Sequence, residues 1–403
     1  MFFGDIMLEK LNSFIWGIAS LLIILSGIYF TFLIKFKQFK FITMLKYLFS
    51  DKKVKGISSL EALFMTLGGR IGVGSIAGIA LAIHVGGCGT IFWIILMSFI
   101  VAPLSYIETI LALKYRKKDN NQYVGGPSYY IFYGLNKKKL AIFYSLLIII
   151  CYIGGFLSIQ SNTISKVTEE LFNINHILVG VLITIITLLV IFCGISKISK
   201  AINLIVPLMS FLYLITSIYV LIVNINKVHV IISLIINSAF NFKSFITGFL
   251  TTLIVGIQRG IFSSEAGLGT GAITSSIVDD KIEEKQGFIQ MLGIYITTII
   301  ICGSTALIIL TSNYNSFIFN SINGIEIARY AFNYHLQSFG DIVIFVSIAL
   351  FSFSTILTSY YYGETSLKFI FGKTNIYRLN ILKIILLILY CLVHYYPLVY
   401  FGI

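Results

Sequence analysis

The chain has 403 residues, of which 58% are hydrophobic and only 11% are charged. Average soluble domains carry roughly 45–50% apolar residues and about 25% charged residues. So few charges cannot cover a water-soluble fold of this length, which excludes a soluble enzyme, a nucleic-acid-binding domain and a disordered chain. The net charge is +13. The five cysteines show neither a disulfide pattern nor the spacing of zinc ligands.

Apolar stretches long enough to cross a bilayer recur along the chain, because about 20 apolar residues span the hydrocarbon core. The first stretch follows no basic segment, so we interpret it as a retained helix rather than a signal peptide. The shorter stretch Val228–Phe242 contains asparagine and serine and is predicted to be re-entrant or interfacial. The ten predicted spans are Leu11–Ile34, 58–84, 90–115, Leu140–Ser165, Leu171–Ser196, Ala201–Asn226, 245–276, 287–311, Ile342–Gly363 and Ile384–Ile403.

Lysine and arginine are distributed unevenly among the predicted loops. Ten helices would place 22 of the 29 basic residues on one side of the membrane, in the loops 35–56, 114–139, 197–200, 281–285 and 368–383. Basic loops face the cytoplasm, so we expect a multi-pass protein of the bacterial inner (plasma) membrane with its N-terminus outside. The positive charge is then a topology signal and a contact for membrane phospholipid, and we expect no nucleic-acid partner.

Two predicted spans are interrupted by clustered glycines, in the segments Gly68–Gly78 and Gly256–Gly269. Glycine costs roughly 1 kcal/mol more than alanine in a helix interior, so both segments favour local unwinding. Unwound backbone at membrane depth is tolerated only where it is buried or lines a cavity. The alternative is that glycines at four-residue spacing merely permit close helix packing.

A pair of interrupted helices in corresponding halves of a chain indicates the binding site of a secondary transporter. The N-termini of half-helices favour a carboxylate, whereas freed carbonyl groups favour Na⁺ or an ammonium group. An amino-acid zwitterion bound together with a cation fits both requirements.

Five ionisable residues lie within or near the predicted spans: Arg70, Glu108, Arg259, Glu265 and Glu364. Such groups are costly in a bilayer and are therefore expected in transport pathways or in ion pairs. We interpret Glu108 and Glu364 as members of structural pairs, and Glu265 as a candidate gating or cation-facing charge. Arg259 and Glu265 are six residues apart, too far for a pair within one helix.

At the interrupted spans the sequence resembles the alanine or glycine:cation symporter family, which comprises bacterial sodium–amino-acid carriers. The segment Gly69–Gly78 is similar to the first motif of the family, and Arg259–Gly267 is similar to the second. Further similar segments, in the order found in the family between about residues 60 and 372, are Tyr123–Tyr130, Gln160–Asn162, Phe353–Leu357 and Tyr361–Glu364.

The resemblance implies an all-α integral membrane protein with a leucine-transporter-like fold of the APC superfamily. In this fold two inverted five-helix repeats each begin with a discontinuous helix. Residues 1–57 would form an extra helix and a basic cytoplasmic loop, 58–226 the first repeat, and 227–403 the second. The family has eleven helices, so we expect the second repeat to lack its last helix.

Together with the broken helices, the resemblance implies specific site residues. The substrate site would comprise Gly72, Val73, Gly74, Ser75, Gln160, Phe262, Ser263, Thr355 and Ser359. The candidate ligands of Na⁺ are Gly72, Ser75, Ser264, Ser354 and Thr355. The gating or structural charges would be Arg70, Arg259, Glu265 and Glu364.

Several of these residues have a simpler alternative role or depart from the family pattern. Gln160 could form an ordinary interhelical hydrogen bond, and hydroxyls in a span often bond the carbonyl four residues earlier. Ser75 and Ser264 stand where the family has asparagine, and Val73 replaces a threonine. Ser359 replaces a tryptophan, which would leave a larger or wetter pocket.

The function implied is sodium-coupled symport of a small neutral amino acid of the alanine and glycine class into the cell by alternating access. Whether the coupling ion is Na⁺ or a proton is left open. No catalytic or nucleotide-binding motif is present in the sequence, so we expect no enzymatic activity. The alternatives are a channel or substrate sensor of the same fold that does not transport, and a truncated inactive homologue. The sequence leaves the oligomeric state open.

Overall fold

The computed structural model describes residues 2–50, 56–119, 122–192, 194–241, 245–279, 282–313 and 324–372, and these are almost entirely helical. The helices are α1 (Phe2–Leu33), α2 (Phe41–Phe49), α3 (Ser59–Arg70), α4 (Ala77–Gly86), α5 (Thr90–Tyr115), α6 (Pro127–Leu135), α7 (Lys138–Ile148), α8 (Leu157–Phe172), α9 (His176–Phe192), α10 (Ile195–Val223), α11 (Ile225–Ala239), α12 (Thr251–Ser264), α13 (Thr270–Ser275), α14 (Glu283–Tyr295), α15 (Gly303–Thr311), α16 (Gly324–Leu336) and α17 (Ser338–Phe371).

Shorter segments connect some of these helices. Turns of π-helix join α7 to α8 (Ile149–Phe156) and α14 to α15 (Ile296–Cys302), and a third precedes α12 (Phe245–Leu250). Strands β1 (Lys117–Asp119) and β2 (Gln122–Val124) form an antiparallel hairpin in which Lys118 pairs with Tyr123.

Within the described ranges, six helical stretches are long and apolar enough to cross a membrane. This finding confirms the prediction of a multi-pass membrane protein. The six stretches are Lys10–Leu33, Thr90–Tyr115, Lys138–Phe172, Ile195–Val223, Glu283–Thr311 and Ser338–Phe371. The predicted span Ile384–Ile403 lies outside the described residues.

Several predicted boundaries differ from those in the structure. Lys197 and Lys200 lie in the first turns of α10 rather than in a loop. The predicted loop 35–56 contains the short helix α2, and the region 114–139 contains the hairpin and α6. Val228–Phe242 falls largely in α11, a helix of 15 residues. These short helices escape a search for long apolar runs because their length lies below that of a membrane span.

Both predicted breaks are present in the structure. The first broken helix consists of α3 and α4, and the second of α12 and α13. A capping box starts α3: the Glu61 backbone N–H donates to the Ser58 hydroxyl, and the Ser58 backbone N–H donates to the Glu61 carboxylate. This reciprocal bonding fixes the point at which the first broken helix begins.

Two long continuous helices position the broken ones. Helix α17 packs against α3 and also contacts α8 and α10, whereas α5 packs against both α12 and α13. The ends of the broken helices also meet, because Ile57 forms a parallel bridge with Val278 and accepts a hydrogen bond from the Asp279 backbone at 3.1 Å. The two breaks are therefore held in the same interior region by α5, α17 and this bridge.

Candidate functional site

The first break lies between α3 and α4, over Ile71–Ile76. Gly72 has an extended backbone, and the chain then makes one 3₁₀ turn over Val73–Ser75 before α4 begins. Within this turn the Ser75 backbone N–H donates to the Gly72 carbonyl at 3.0 Å. The remaining backbone groups need partners from other helices, because buried backbone polar groups are nearly always paired.

Gln160 of α8 supplies one of these partners. Its Oε1 atom accepts a hydrogen bond from the Val73 backbone N–H at 3.1 Å, and the side chain is buried. A Cβ atom on Gly72 would lie 2.8 Å from the Thr355 hydroxyl and 2.9 Å from Gln160 Nε2. Only glycine at position 72 lets the unwound backbone approach both side chains.

Four oxygen atoms converge between the end of α3 and the middle of α17. The Thr355 hydroxyl lies 3.0 Å from the Gly68 carbonyl and 3.4 Å from the Ile71 carbonyl, and the Ser354 hydroxyl lies 3.3 Å from the Gly68 carbonyl. All four residues are buried. Both hydroxyls also donate to the Phe351 carbonyl of their own helix at 2.9 Å. Oxygen donors suit hard cations such as Na⁺, so the oxygen cluster of Gly68, Ile71, Ser354 and Thr355 is a candidate cation site.

Ser75 connects the first break to α15 and α12. The Thr305 hydroxyl donates to the Ser75 carbonyl at 2.8 Å, and Tyr213 bonds Thr305 at 2.6 Å. The side chains of Ser75 and Ser263 both lie beside the Cys302 thiol. The serines of the two broken helices therefore share one buried neighbourhood.

The second break covers Glu265–Gly269 and contains three residues with positive φ. These are Glu265 (49°), Gly267 (89°) and Gly269 (84°). A non-glycine residue in this region is uncommon, and the surroundings hold Glu265 there. The Thr270 hydroxyl donates to Glu265 Oε2 at 2.9 Å, and the Tyr144 hydroxyl donates to the Leu268 carbonyl at 2.7 Å.

An aromatic column joins the two breaks. The Phe262 ring lies 3.1 Å from the position of a Cβ on Gly74. Phe262 stacks on Phe156 at 5.5 Å between ring centroids, Phe156 stacks on Tyr152 at 4.7 Å, and Tyr152 meets the edge of Tyr362 at 5.1 Å. Aromatic pairs favour these stacked and edge-on arrangements, so Phe156 and Tyr152 hold the Phe262 ring directly over the first break.

Arg70 lies at the end of α3 and points toward the second break. Its guanidinium donates to the Ser105 hydroxyl at 3.3 Å and to the Gln290 carbonyl at 3.4 Å. The carboxylates of Glu265 and Glu108 are its acidic neighbours. One buried cation therefore faces two carboxylates, rather than forming a simple pair with one of them.

The other charged candidates lie elsewhere. Arg259 approaches Gly78 of α4, with its Nη1 atom 3.3 Å from the position of a Cβ there. It therefore does not pair with Glu265. Glu364 pairs with Lys368, one turn later on α17, at 2.9 Å.

Helix α16 covers the outer surface of α4. Gly324 packs directly on the backbone of Ala77. Arg329 donates to both carboxylate oxygens of Asp341 at 2.6 and 3.2 Å, and these bonds raise the pKa of Arg329. Burial lowers the pKa of His335 below its usual 6.5. The bidentate ion pair between Arg329 and Asp341 of α17 thus anchors α16 above α4.

The structure brings together Gly72, Gln160, Ser354 and Thr355, and separately Gly74 with Phe262 and Ser75 with Ser263. Two other candidates lie apart from these groups. The Ser264 hydroxyl donates to the Ile261 carbonyl of its own turn at 3.0 Å. The Ser359 hydroxyl is buried without a hydrogen-bond partner among the described residues.

Neither the carbonyls of Gly68 and Ile71 nor the aromatic column was predicted from the sequence as part of the site. Backbone carbonyls carry no residue-type signal, so no motif could have revealed them. The four-residue spacing of Tyr152 and Phe156 does place both rings on one face of a helix, and this signal could have been used.

A multi-pass helical bundle with two broken helices meeting at a buried polar site is typical of a membrane transporter. The family comparison agrees: the model of the sodium:alanine symporter family matches residues 1–400. The chain therefore belongs to the sodium:alanine symporter family.

Individual relatives align with most of this chain and have related names. The chain is 34% identical to the amino-acid carrier protein AlsT of Bacillus subtilis, over 93% of this chain and 81% of the relative. It is 33% identical to the probable sodium/glutamine symporter GlnT of the same organism, over 93% and 80%. It is 31% identical to the sodium/alanine symporter AgcS of Methanococcus maripaludis, over 92% and 84%.

Proposed function

We propose that this protein moves a small neutral amino acid of the alanine and glycine class into the cell together with Na⁺, by alternating access. The observation that carries the proposal is the meeting of Gly72, Gln160 and Thr355 at the first break, with Phe262 of the second broken helix covering Gly74. The names of two relatives support sodium coupling, since one is a sodium/alanine symporter and another a probable sodium/glutamine symporter.

The amino acid would bind along the first break. Its carboxylate would face the backbone N–H groups at the start of α4, where a helix N-terminus carries partial positive charge. Gln160, Ser75 and Ser263 would supply hydrogen bonds, and Phe262 would close the site from the side of α12. Val73 and Ser359 would line the space for the substrate side chain.

The cation would bind at the oxygen cluster of Gly68, Ile71, Ser354 and Thr355. The hydroxyls of Ser354 and Thr355 now contact the carbonyls of the cluster, and a bound Na⁺ would take over these oxygens as ligands. Because Gly72 follows Ile71 directly, the ion would hold the backbone that binds the amino acid. This shared segment is the physical basis that we propose for coupling.

Alternating access would require the two broken helices to move relative to α5 and α17, in the manner of two inverted repeats (58–226 and 227–403). Arg70 and Glu265 would link the breaks on one side of the site, and Arg259 would lie near α4 on the other. Helix α16, anchored by Arg329, would release α4 when the outer side opens.

Uptake of labelled alanine into proteoliposomes under an inward Na⁺ gradient tests this proposal. We expect uptake that stops when Na⁺ is replaced by K⁺. Binding of alanine without uptake would indicate a sensor instead, and the absence of both would indicate an inactive homologue.

The orientation needs a separate test, in which single cysteines are introduced into a cysteine-free background. A cysteine at Asn173, between α8 and α9, should react with a membrane-impermeant reagent in intact cells. A cysteine at Lys46 of α2 should react only after permeabilisation. The reverse pattern would overturn an external N-terminus.

A further inference from the structure

Glu108 of α5 is an acidic residue that the proposed symport mechanism does not use. The backbone N–H groups of Gly267 and Gly269 lie beside its carboxylate, so Glu108 faces the second break directly. One of its oxygens, Oε2, is buried and accepts no hydrogen bond from the described residues. A buried carboxylate oxygen without a donor is costly while the group is ionised.

The charges around Glu108 do not balance. Arg70 is the cation facing both Glu108 and Glu265. Glu265 is the better-supported counter-ion, because it also accepts a hydrogen bond from Thr270 and lies beside Tyr152. With Glu265 and Arg70 neutralising each other, the negative charge of ionised Glu108 is left over in the interior.

The groups that face Glu108 from the surrounding helices do not remove this charge. Tyr130 of α6 and Tyr144 of α7 are its neutral ionisable neighbours. On α14, Glu284 is bound to Lys37 at 2.6 Å. Lys285 of the same helix is buried, but Arg70 is the charged side chain that acts on the Glu108 carboxylate. Helix α13 carries no ionisable side chain, and Arg259 of α12 lies beside Gly78 instead.

More polar atoms near Arg70 lack partners among the described residues. They are the Nε atom of Arg70 and both amide atoms of Gln290. Buried polar groups that are left without protein partners usually bond to internal water. A hydrated path between Arg70 and the second break would allow a proton to reach Glu108.

We propose that Glu108 binds a proton during the transport cycle and thereby controls the second break. This inference rests on the proposed symport function. Glu108 takes up the proton from the outer side, which converts its carboxylate to a carboxylic acid. It releases the proton to the inner side later in the cycle, which restores the carboxylate, so no other reactant is needed. The ionised form attracts the N–H groups of Gly267 and Gly269 and holds the break closed; the neutral form releases them.

A proton fits this position better than a second Na⁺. A metal ion would have to lie next to the N–H groups of Gly267 and Gly269, whose partial charges repel it. Among the described residues, no group of three acidic, histidine or cysteine side chains is placed to hold a metal ion. A proton needs only the unbonded Oε2 atom.

The experiment uses proteoliposomes that contain a trapped pH-sensitive dye, with the Na⁺ gradient held constant. We expect alanine to cause internal acidification with the wild-type protein, and we expect uptake to change between mildly acidic and mildly alkaline pH. Glu108→Gln should lose the acidification and the pH dependence while still binding alanine. Glu108→Asp, which keeps an ionisable group, should retain both properties.

Glu169→Gln is the matched control, because Glu169 is an exposed carboxylate at the end of α8 that pairs with His176. It should behave as the wild type does. If wild-type uptake is driven by Na⁺ but alanine moves no protons, the role of Glu108 is overturned and the symport function stands. If Glu108→Gln retains acidification, protons bind elsewhere and the proposal is also overturned. Failure of Na⁺-driven uptake itself would instead remove the proposed function.

Discussion

The two breaks occupy similar positions in their helices but are stabilised by different chemistry. The first break is held by neutral groups: Gln160 bonds the Val73 N–H, and Thr355 bonds the Gly68 carbonyl. The second is surrounded by charge, with Glu265 in a left-handed conformation and Glu108 beside two glycine N–H groups. A neutral, oxygen-rich break suits binding of Na⁺ and a zwitterion, whereas a charged break suits control of motion.

The largest effect on the stability of the protein should come from removing Arg70, the cation that faces the second break. Arg70→Gln leaves Glu265 and Glu108 buried without a counter-charge, and breaking a buried pair costs roughly 3–5 kcal/mol. We expect a large loss of folded protein and a lowered Tm in a detergent thermal-shift assay.

Arg259→Gln is the comparison for that measurement. The Arg259 side chain lies beside Gly78 and forms no hydrogen bond or ion pair with the residues described in the structure, although the Arg259 backbone carbonyl accepts a hydrogen bond from the Ser263 hydroxyl at 2.8 Å. Its replacement should lower the Tm far less than Arg70→Gln does. Equal losses would show that the second break does not depend on Arg70.

The next largest effect, on transport, should come from filling the space around Gly72 at the first break. In Gly72→Ala the new methyl group would lie 2.8 Å from the Thr355 hydroxyl and 2.9 Å from Gln160. Overpacking of this kind costs about 1–3 kcal/mol, and it would fall on the binding segment. We expect Na⁺-driven alanine uptake to be lost although the protein still inserts.

Gly154→Ala is the matched control, since a Cβ at Gly154 would meet no atom within 4 Å. Its uptake should equal that of the wild type. Normal uptake by Gly72→Ala would indicate that the glycines of this break serve helix packing rather than ligand binding.

A smaller effect is expected at the oxygen cluster. Thr355→Val removes a hydroxyl that contacts the Gly68 and Ile71 carbonyls. Loss of one ligand should raise the Na⁺ concentration for half-maximal uptake about tenfold, which corresponds to ~1.4 kcal/mol. Uptake measured against Na⁺ concentration checks this.

Thr365→Val is the corresponding control on the same helix, because the Thr365 hydroxyl bonds the Tyr361 carbonyl one turn earlier in its own helix. The Na⁺ dependence should be unchanged in this variant. The same shift in both variants would show that the effect arises from α17 as a whole.

The smallest effect is expected for the substrate side chain. Ser359 is buried and stands where the family has tryptophan, whose side chain buries about 150–250 Å². Ser359→Trp should narrow selection toward glycine and alanine. Competition against labelled alanine by serine, threonine, valine and leucine measures this selection. Identical competition profiles of the wild type and Ser359→Trp would show that Ser359 does not shape the substrate pocket.

Much of this arrangement could be predicted from the sequence. Clustered glycines marked both breaks, because glycine disfavours helix regardless of context. The motif around Gln160 identified a residue that does reach the first break. The role of Ser264 as a Na⁺ ligand stays a prediction: its hydroxyl bonds the Ile261 carbonyl of its own turn, just as the Ser354 hydroxyl bonds the Phe351 carbonyl.

What could not be predicted depends on contacts between distant helices. The Gly68 and Ile71 carbonyls become cation-ligand candidates only because α17 brings Thr355 to them. Glu108 was interpreted as a member of a structural Arg–Glu pair, and Arg70 is its charged neighbour, but Arg70 faces Glu265 as well. Residue type and spacing cannot show which of two carboxylates a buried arginine neutralises.

The central claim is that Na⁺ at the oxygen cluster organises the first break for the amino acid. Calorimetric titration of alanine into the purified protein, in Na⁺ and in K⁺ at equal ionic strength, tests it most directly. Because binding linkage is reciprocal, we expect tight alanine binding in Na⁺ and little or none in K⁺, and we expect Thr355→Val to need a higher Na⁺ concentration for the same alanine affinity. Equal alanine affinity in the two salts would contradict the account.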